Sequence, residues 1–124
     1  MTATRSFRCQ PEAVTAARRF VRDVLSDQSL EVVQAAELMT SELATNCVRH
    51  AQTGFELAVD DAQREIRVEV RDVGQGRPVL QSPSPTDRTG RGLVIVEAMS
   101  DAWGVEPSSR GKTVWFTLPQ RASA

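Results

Sequence analysis

The chain has 124 residues, 40% hydrophobic and 25% charged, which predicts one soluble domain (residues 1–124) with a single core. A formal net charge of −1 leaves no basic footprint for nucleic acid or an anionic membrane surface. Two cysteines without a CxxC pair, one histidine and no long apolar run argue against a zinc site and a transmembrane helix.

Residues 1–13, MTATRSFRCQPEA, lack the apolar segment of a secretory signal, so a cytoplasmic protein with free thiols at Cys9 and Cys47 is expected. Arg5 to Cys9 reads as a short edge strand. Pro11 suits the first turn of a helix, where a missing N–H costs nothing. Val14, Ala17, Val21, Val24 and Leu25 then recur at helical spacing from Glu12 to about Leu25. Asp27 to Ser29 is a break, with Ser29 as N-cap. A second helix is predicted from about Leu30 to Ala51, its apolar stripe being Val32, Ala36, Met39, Leu43 and Cys47. Gly54 ends it.

Two alternating runs follow: Phe55, Leu57 and Val59, then Ile66, Val68 and Val70. Joined by Asp60 to Arg64, they predict an antiparallel hairpin with one buried face. Gly74 to Gly90 is a loop rich in Gly, Pro and Ser; unstructured loops of this length usually serve as lids or are disordered. In LVIVEAMS, which follows Gly92, propensity favours a buried strand and length a buried helix, and periodicity leaves both open. Trp103 and Val105 suggest a strand, and Lys112 to Leu118 forms the last one. The tail QRASA, residues 120–124, is expected to fray. Two helices, a hairpin, an apolar segment and two more strands predict an α+β fold, with helices on one face of a mainly antiparallel sheet.

Three short stretches carry chemistry. In ELATNCVRH, at about 100° per residue, Glu42, Asn46 and Arg49 fall within an arc of about 60° on the flank of the apolar stripe, while His50 points nearer its middle. That pattern suits either a solvated flank or a polar site. In RDVGQG, Asp72 continues the apolar face of Ile66, Val68 and Val70, so its carboxylate needs a donor. A turn amide, a side chain or a ligand amine would serve. Gly74 and Gly76 permit positive φ or close backbone approach. In TGRGLV, two glycines flank Arg91 before the apolar segment. If that segment is a helix, its N-terminal amides can meet a phosphate. SRGKT is not a phosphate-binding P-loop, because Glu106 stands where that motif needs glycine and a strand follows. GQGRPV lacks the third glycine of a dinucleotide fingerprint.

Taken in order, these stretches resemble the GHKL ATPase superfamily, which shares the Bergerat nucleotide-binding fold. ELATNCVRH resembles its Asn-containing box, DVGQG its DxGxG box, GRGL its second glycine box and GKTVWFTLP its final strand. The pattern ELxTNxxxH with GRGLxxV and a late Trp-Gly is similar to one branch, the bacterial anti-sigma-factor serine/threonine kinases. The resemblance implies a two-layer α/β sandwich with a mainly antiparallel mixed sheet, ATP and Mg²⁺ as cofactors, and LVIVEAMS as a helix.

By the same resemblance, Asn46 would ligate Mg²⁺ and Asp72 would accept from the adenine amino group. Gly74 and Gly76 would lie against base and sugar. Gly90, Arg91, Gly92 and Leu93 would present amides to phosphate, and Arg49 would contact phosphate. Residues 77–89 would form the ATP lid. Glu42 would be the general base for a serine hydroxyl on an anti-anti-sigma partner, and a sigma factor would be the second partner. A homodimer through the N-terminal strand and first helix is expected, with no direct nucleic-acid or membrane contact. One departure stands out: family members often carry Thr after the final-strand glycine, and here Lys112 holds that place, followed by Thr113. An ATP-sensing module of the same fold without turnover is the alternative.

Overall fold

A computed structural model describes residues 2–62, 64–72, 88–108 and 111–122. Along the chain lie β1 (Thr2–Phe7), α1 (Glu12–Val24), α2 (Leu30–Thr45), a π-helix (Asn46–Ala51), β2 (Phe55–Asp61), β3 (Glu65–Asp72), α3 (Arg88–Met99), β4 (Ala102–Ser108) and β5 (Gly111–Pro119). The strands form one sheet in the order β1-β2-β3-β5-β4, and every ladder is antiparallel. No helix among the described residues is long and apolar enough to cross a membrane.

The period-2 pattern sets the layers. Val59 faces Val68, which faces Phe116, and Leu57 faces Val70, which faces Val114. All six are buried in one core with Ala17, Val21, Val32, Ala36, Met39 and Leu43 of α1 and α2. The expected α+β architecture, helices on one face of the sheet, is the one observed. On the opposite face Arg71 bridges Glu56 and Glu69, each at 2.7 Å, and the Arg67 guanidinium lies 4.2 Å from the centre of the Trp115 ring. Gly104 pairs with Trp115 across β4 and β5, and a Cβ there would lie 2.8 Å from the indole, so this glycine makes room for the ring.

Several boundaries differ from the sequence-based expectation. The first strand runs from Thr2 to Phe7, not from Arg5 to Cys9. Phe7 anchors its end by stacking on Phe55 at 5.1 Å and meeting Phe20 edge-on at 6.4 Å, and the chain then turns into α1. LVIVEAMS is helical, as the resemblance implied: it lies in α3, with Val96 fully buried. The tail does not fray at Gln120. The Ser29 amide donates to the Arg121 carbonyl, the Arg121 amide donates to Gln28 Oε1, and Gln28 forms a bridge with Ala122. Those bonds satisfy the buried Gln28 amide, a requirement that sequence periodicity does not register.

A bidentate pair clamps α1 to α2. Arg22 donates to both carboxylate oxygens of Glu37, at 2.8 and 3.0 Å. These bonds hold the Glu37 carboxyl below its ordinary value. A carboxyl lowered in the folded state stabilises the fold above its unfolded pKa, about 4.3, and the contribution is lost as pH falls through the folded value. Urea midpoints measured from pH 6 downward are therefore expected to fall less steeply in Glu37→Gln than in the parent. Equal slopes would exclude the clamp as a source of acid sensitivity.

Candidate functional site

Ser29, in extended conformation, caps α2 by accepting from the Val32 amide at 3.3 Å. Sixteen residues then wind as α-helix to Thr45. Glu42 and Asn46 are each half-buried at its C-terminal end, one turn apart. Among the described residues, neither side chain is engaged in a hydrogen bond or ion pair with another side chain.

Beyond Thr45 the expected α-helix becomes a π-helix, Asn46 to Ala51, closed by Gln52 in the left-handed region at φ 56°. Amides of Gln52 and Thr53 both reach back to the Cys47 carbonyl. Single π-turns of this kind recur at functional sites. The change alters which groups share a face. A π-turn takes more residues than an α-turn, so each side chain lags behind its α-helical position. Arg49 therefore falls away from the Glu42–Asn46 edge, and His50 turns toward it. Arg49 is exposed; His50 is half-buried, with Nε2 inaccessible to solvent and without a partner among the described residues. The shared 60° arc of Glu42, Asn46 and Arg49, which assumed 100° per residue throughout, does not survive this winding.

Asp72 ends β3 on the core side. The donor its carboxylate needs is in part the Lys112 amide, which lies 3.3 Å from Oδ1. A carboxylate can accept about four hydrogen bonds, so capacity remains for a ligand amine. Gly111, which the sequence pattern alone does not single out, makes room for that carboxylate: a Cβ there would collide with Asp72 Oδ1 and sit 2.9 Å from Cγ. The signal was present as the glycine that opens the final strand, but only the cross-strand neighbour gives it meaning. Cys47, the residue after Asn46, is buried. Burial chiefly, reinforced by the Asp72 carboxylate and opposed by Lys112, pushes its thiol up to about 12. The thiol is thus neutral and inert at physiological pH. Cys9, in the turn before α1, donates its S–H to the Val48 carbonyl at 3.6 Å, a further contact invisible in sequence.

The third stretch arrives through α3, which packs on both α2 and the π-helix. Gly90 lies in its first turn, where amides lack intrahelical partners, and Gly92 and Leu93 lie in its second. The helix thus begins upstream of the residues expected to open it, and Leu93 packs against the core. Gly74, Gly76 and residues 77–87 of the expected lid lie outside the described residues, while Arg88 and Thr89, also expected in the lid, open α3. The backbone of the GRGL stretch is thus helical, in the helix that packs on the π-helix beginning at Asn46.

Gly111→Ala tests this packing. The methyl group forces the Asp72 carboxylate aside, and about tenfold weaker binding of the adenine nucleotide that the resemblance implies is expected, the size of one misplaced hydrogen bond to a charged group. Calorimetry reads it, and undiminished affinity with an intact far-UV spectrum would show that the carboxylate position is immaterial.

The family profile described as "Histidine kinase-like ATPase domain" matches residues 7–118. Among solved structures the chain is similar to that of the RsbU and RsbW domains of Rv1364c from Mycobacterium tuberculosis, with a TM-score of 0.76 at 19% identity. That match covers 99% of this chain and 34% of the other, so this chain spans about a third of that protein's length. No curated protein matches.

Proposed function

Since this chain belongs to the histidine kinase-like ATPase domain family, we propose that it is an ATP-dependent protein serine/threonine kinase that acts on an anti-anti-sigma partner and sequesters a sigma factor. The observation that carries the reading is Glu42 one turn before Asn46 at the end of α2, with the Asp72 carboxylate near enough to Cys47, the residue after Asn46, to act on its thiol. A fold shared with a chain holding an RsbW domain supports the branch, as does the ELxTNxxxH pattern.

The residues present fit a magnesium nucleotide. Asn46 offers a hard amide oxygen, half-buried and with no side-chain partner among the described residues. That donor set suits Mg²⁺, which binds through one or two protein oxygens together with phosphates and water. Asp72, seated over Gly111 and holding the Lys112 amide, retains acceptor capacity toward an exocyclic amine. Bound ATP supplies the γ-phosphoryl group, and bound Mg²⁺ neutralises its charge.

The chain's own residues then perform a limited set of tasks. Asp72 orients the purine. Asn46 fixes the metal side of the site, and α3 aims its first-turn amides toward anionic oxygen. Glu42 takes the proton from the attacking serine hydroxyl. Phosphoryl transfer depends chiefly on positioning and charge neutralisation, so one carboxylate suffices as base. The outer side of β1 is unpaired among the described residues, which suits pairing with a second copy, and sedimentation of the purified chain reads that state.

Labelled ATP together with candidate anti-anti-sigma proteins tests the reading. Label on a partner serine supports it. Mg-ATP binding that changes partner affinity, with no phosphoprotein formed, would instead identify an ATP-sensing module.

A further inference from the structure

Of the large apolar side chains exposed among the described residues, Leu30, Leu38, Val94 and Met99 all belong to α2 and α3. Between the two helices runs a groove of about 640 Å³, lined by Leu30, Glu31, Gln34, Ala35, Leu38 and Met99. That space is large enough for several side chains. Leu38 is 43% exposed and Leu30 70%, so neither serves the core, and apolar groups left together at a surface mark a contact site.

The direction of the groove names its occupant. Because α2 is α-helical to Thr45, Glu31, Ala35, Leu38 and Glu42 fall within an arc of about 60° on one face. Leu38 stands about 6 Å along the axis from Glu42, and Leu30 about 18 Å. The apolar floor is thus continuous with the carboxylate assigned to deprotonate the incoming hydroxyl. We propose that the α2–α3 groove docks the protein that carries the phosphorylated serine, seating apolar side chains of the segment next to that serine. The inference rests on the kinase reading and deepens it by assigning the substrate's docking surface.

The charge pattern sharpens the partner's chemistry. Exposed Glu31 lies within the lining and Glu42 lies beyond its near end, so carboxylates bracket the apolar floor. The fitting segment has two or three apolar residues in succession along one face, a basic residue opposite Glu31, and its serine at the Glu42 end. An acidic segment would meet like charge at both ends.

The test uses the protein that this chain labels from γ-labelled ATP, purified and titrated as substrate. Leu38→Glu is expected to raise KM for that protein at least tenfold, with kcat and Mg-ATP affinity unchanged, and Leu38→Met to restore the parent KM. An unchanged KM in Leu38→Glu overturns the docking assignment while leaving the kinase reading intact. If Leu38→Glu instead splits a homodimer and transfer is unaffected, a second copy occupies the groove and the assignment is likewise overturned. If the parent binds Mg-ATP but labels no protein, the kinase reading fails, and the docking assignment falls with it.

Discussion

Glu42→Gln is expected to bind Mg-ATP with the parent's affinity and to transfer phosphate about 10²–10⁴-fold more slowly, the usual contribution of a positioned base. Glutamine preserves the size of the side chain and its place on α2, one turn before Asn46, but cannot accept a proton at neutral pH. The loss should fall on kcat and kcat/KM equally, because the interaction removed exists only as the hydroxyl attacks. Single-turnover transfer from labelled ATP, paired with calorimetry on the same preparation, separates the two quantities. Transfer at the parental rate would mean that the proton leaves by another route, and Glu42 would lose its assigned role.

Asp72→Asn is expected to weaken adenine nucleotide binding roughly 10- to 150-fold, the range for a hydrogen bond to a charged group. The substitution keeps the side chain's volume over Gly111 and can retain an oxygen for the Lys112 amide. What it removes is the negative charge and the second acceptor proposed for the purine amine. Affinity for a purine nucleotide without that amine should change much less, which distinguishes lost recognition from a damaged fold. Equal losses for both nucleotides would indicate structural damage, and no loss for either would remove Asp72 from the site.

Much of this architecture was legible in the residues. The period-2 runs around Val59, Val68 and Phe116 place their side chains in the core without further information, because one face of an antiparallel sheet must be apolar. The stripe Val32, Ala36, Met39, Leu43 and Cys47 is buried along its whole length for the corresponding helical reason. Asp72 was conspicuous because a carboxylate at the end of a buried strand face must find a donor.

The unread parts share a cause: each depends on contacts between distant segments. The switch to π-winding after Thr45 leaves no mark in hydrophobic spacing, yet it moves Arg49 outward and His50 inward. Gly111 acquires a role only when the carboxylate on the neighbouring strand is known. The tail looked free because its polar residues have no periodicity, while the hydrogen bonds that tie it reach back to Gln28 and Ser29. Composition left LVIV undecided between strand and helix. Packing against α2 and the π-helix accompanies the helical form.

A crystal structure with Mg²⁺ and a non-hydrolysable ATP analogue tests the central claim most directly. The purine amine is expected on the Asp72 carboxylate, the metal on the Asn46 amide oxygen, and Glu42 beside the γ-phosphate without binding the ion. Nucleotide held elsewhere, or an empty cleft at millimolar analogue, would contradict it.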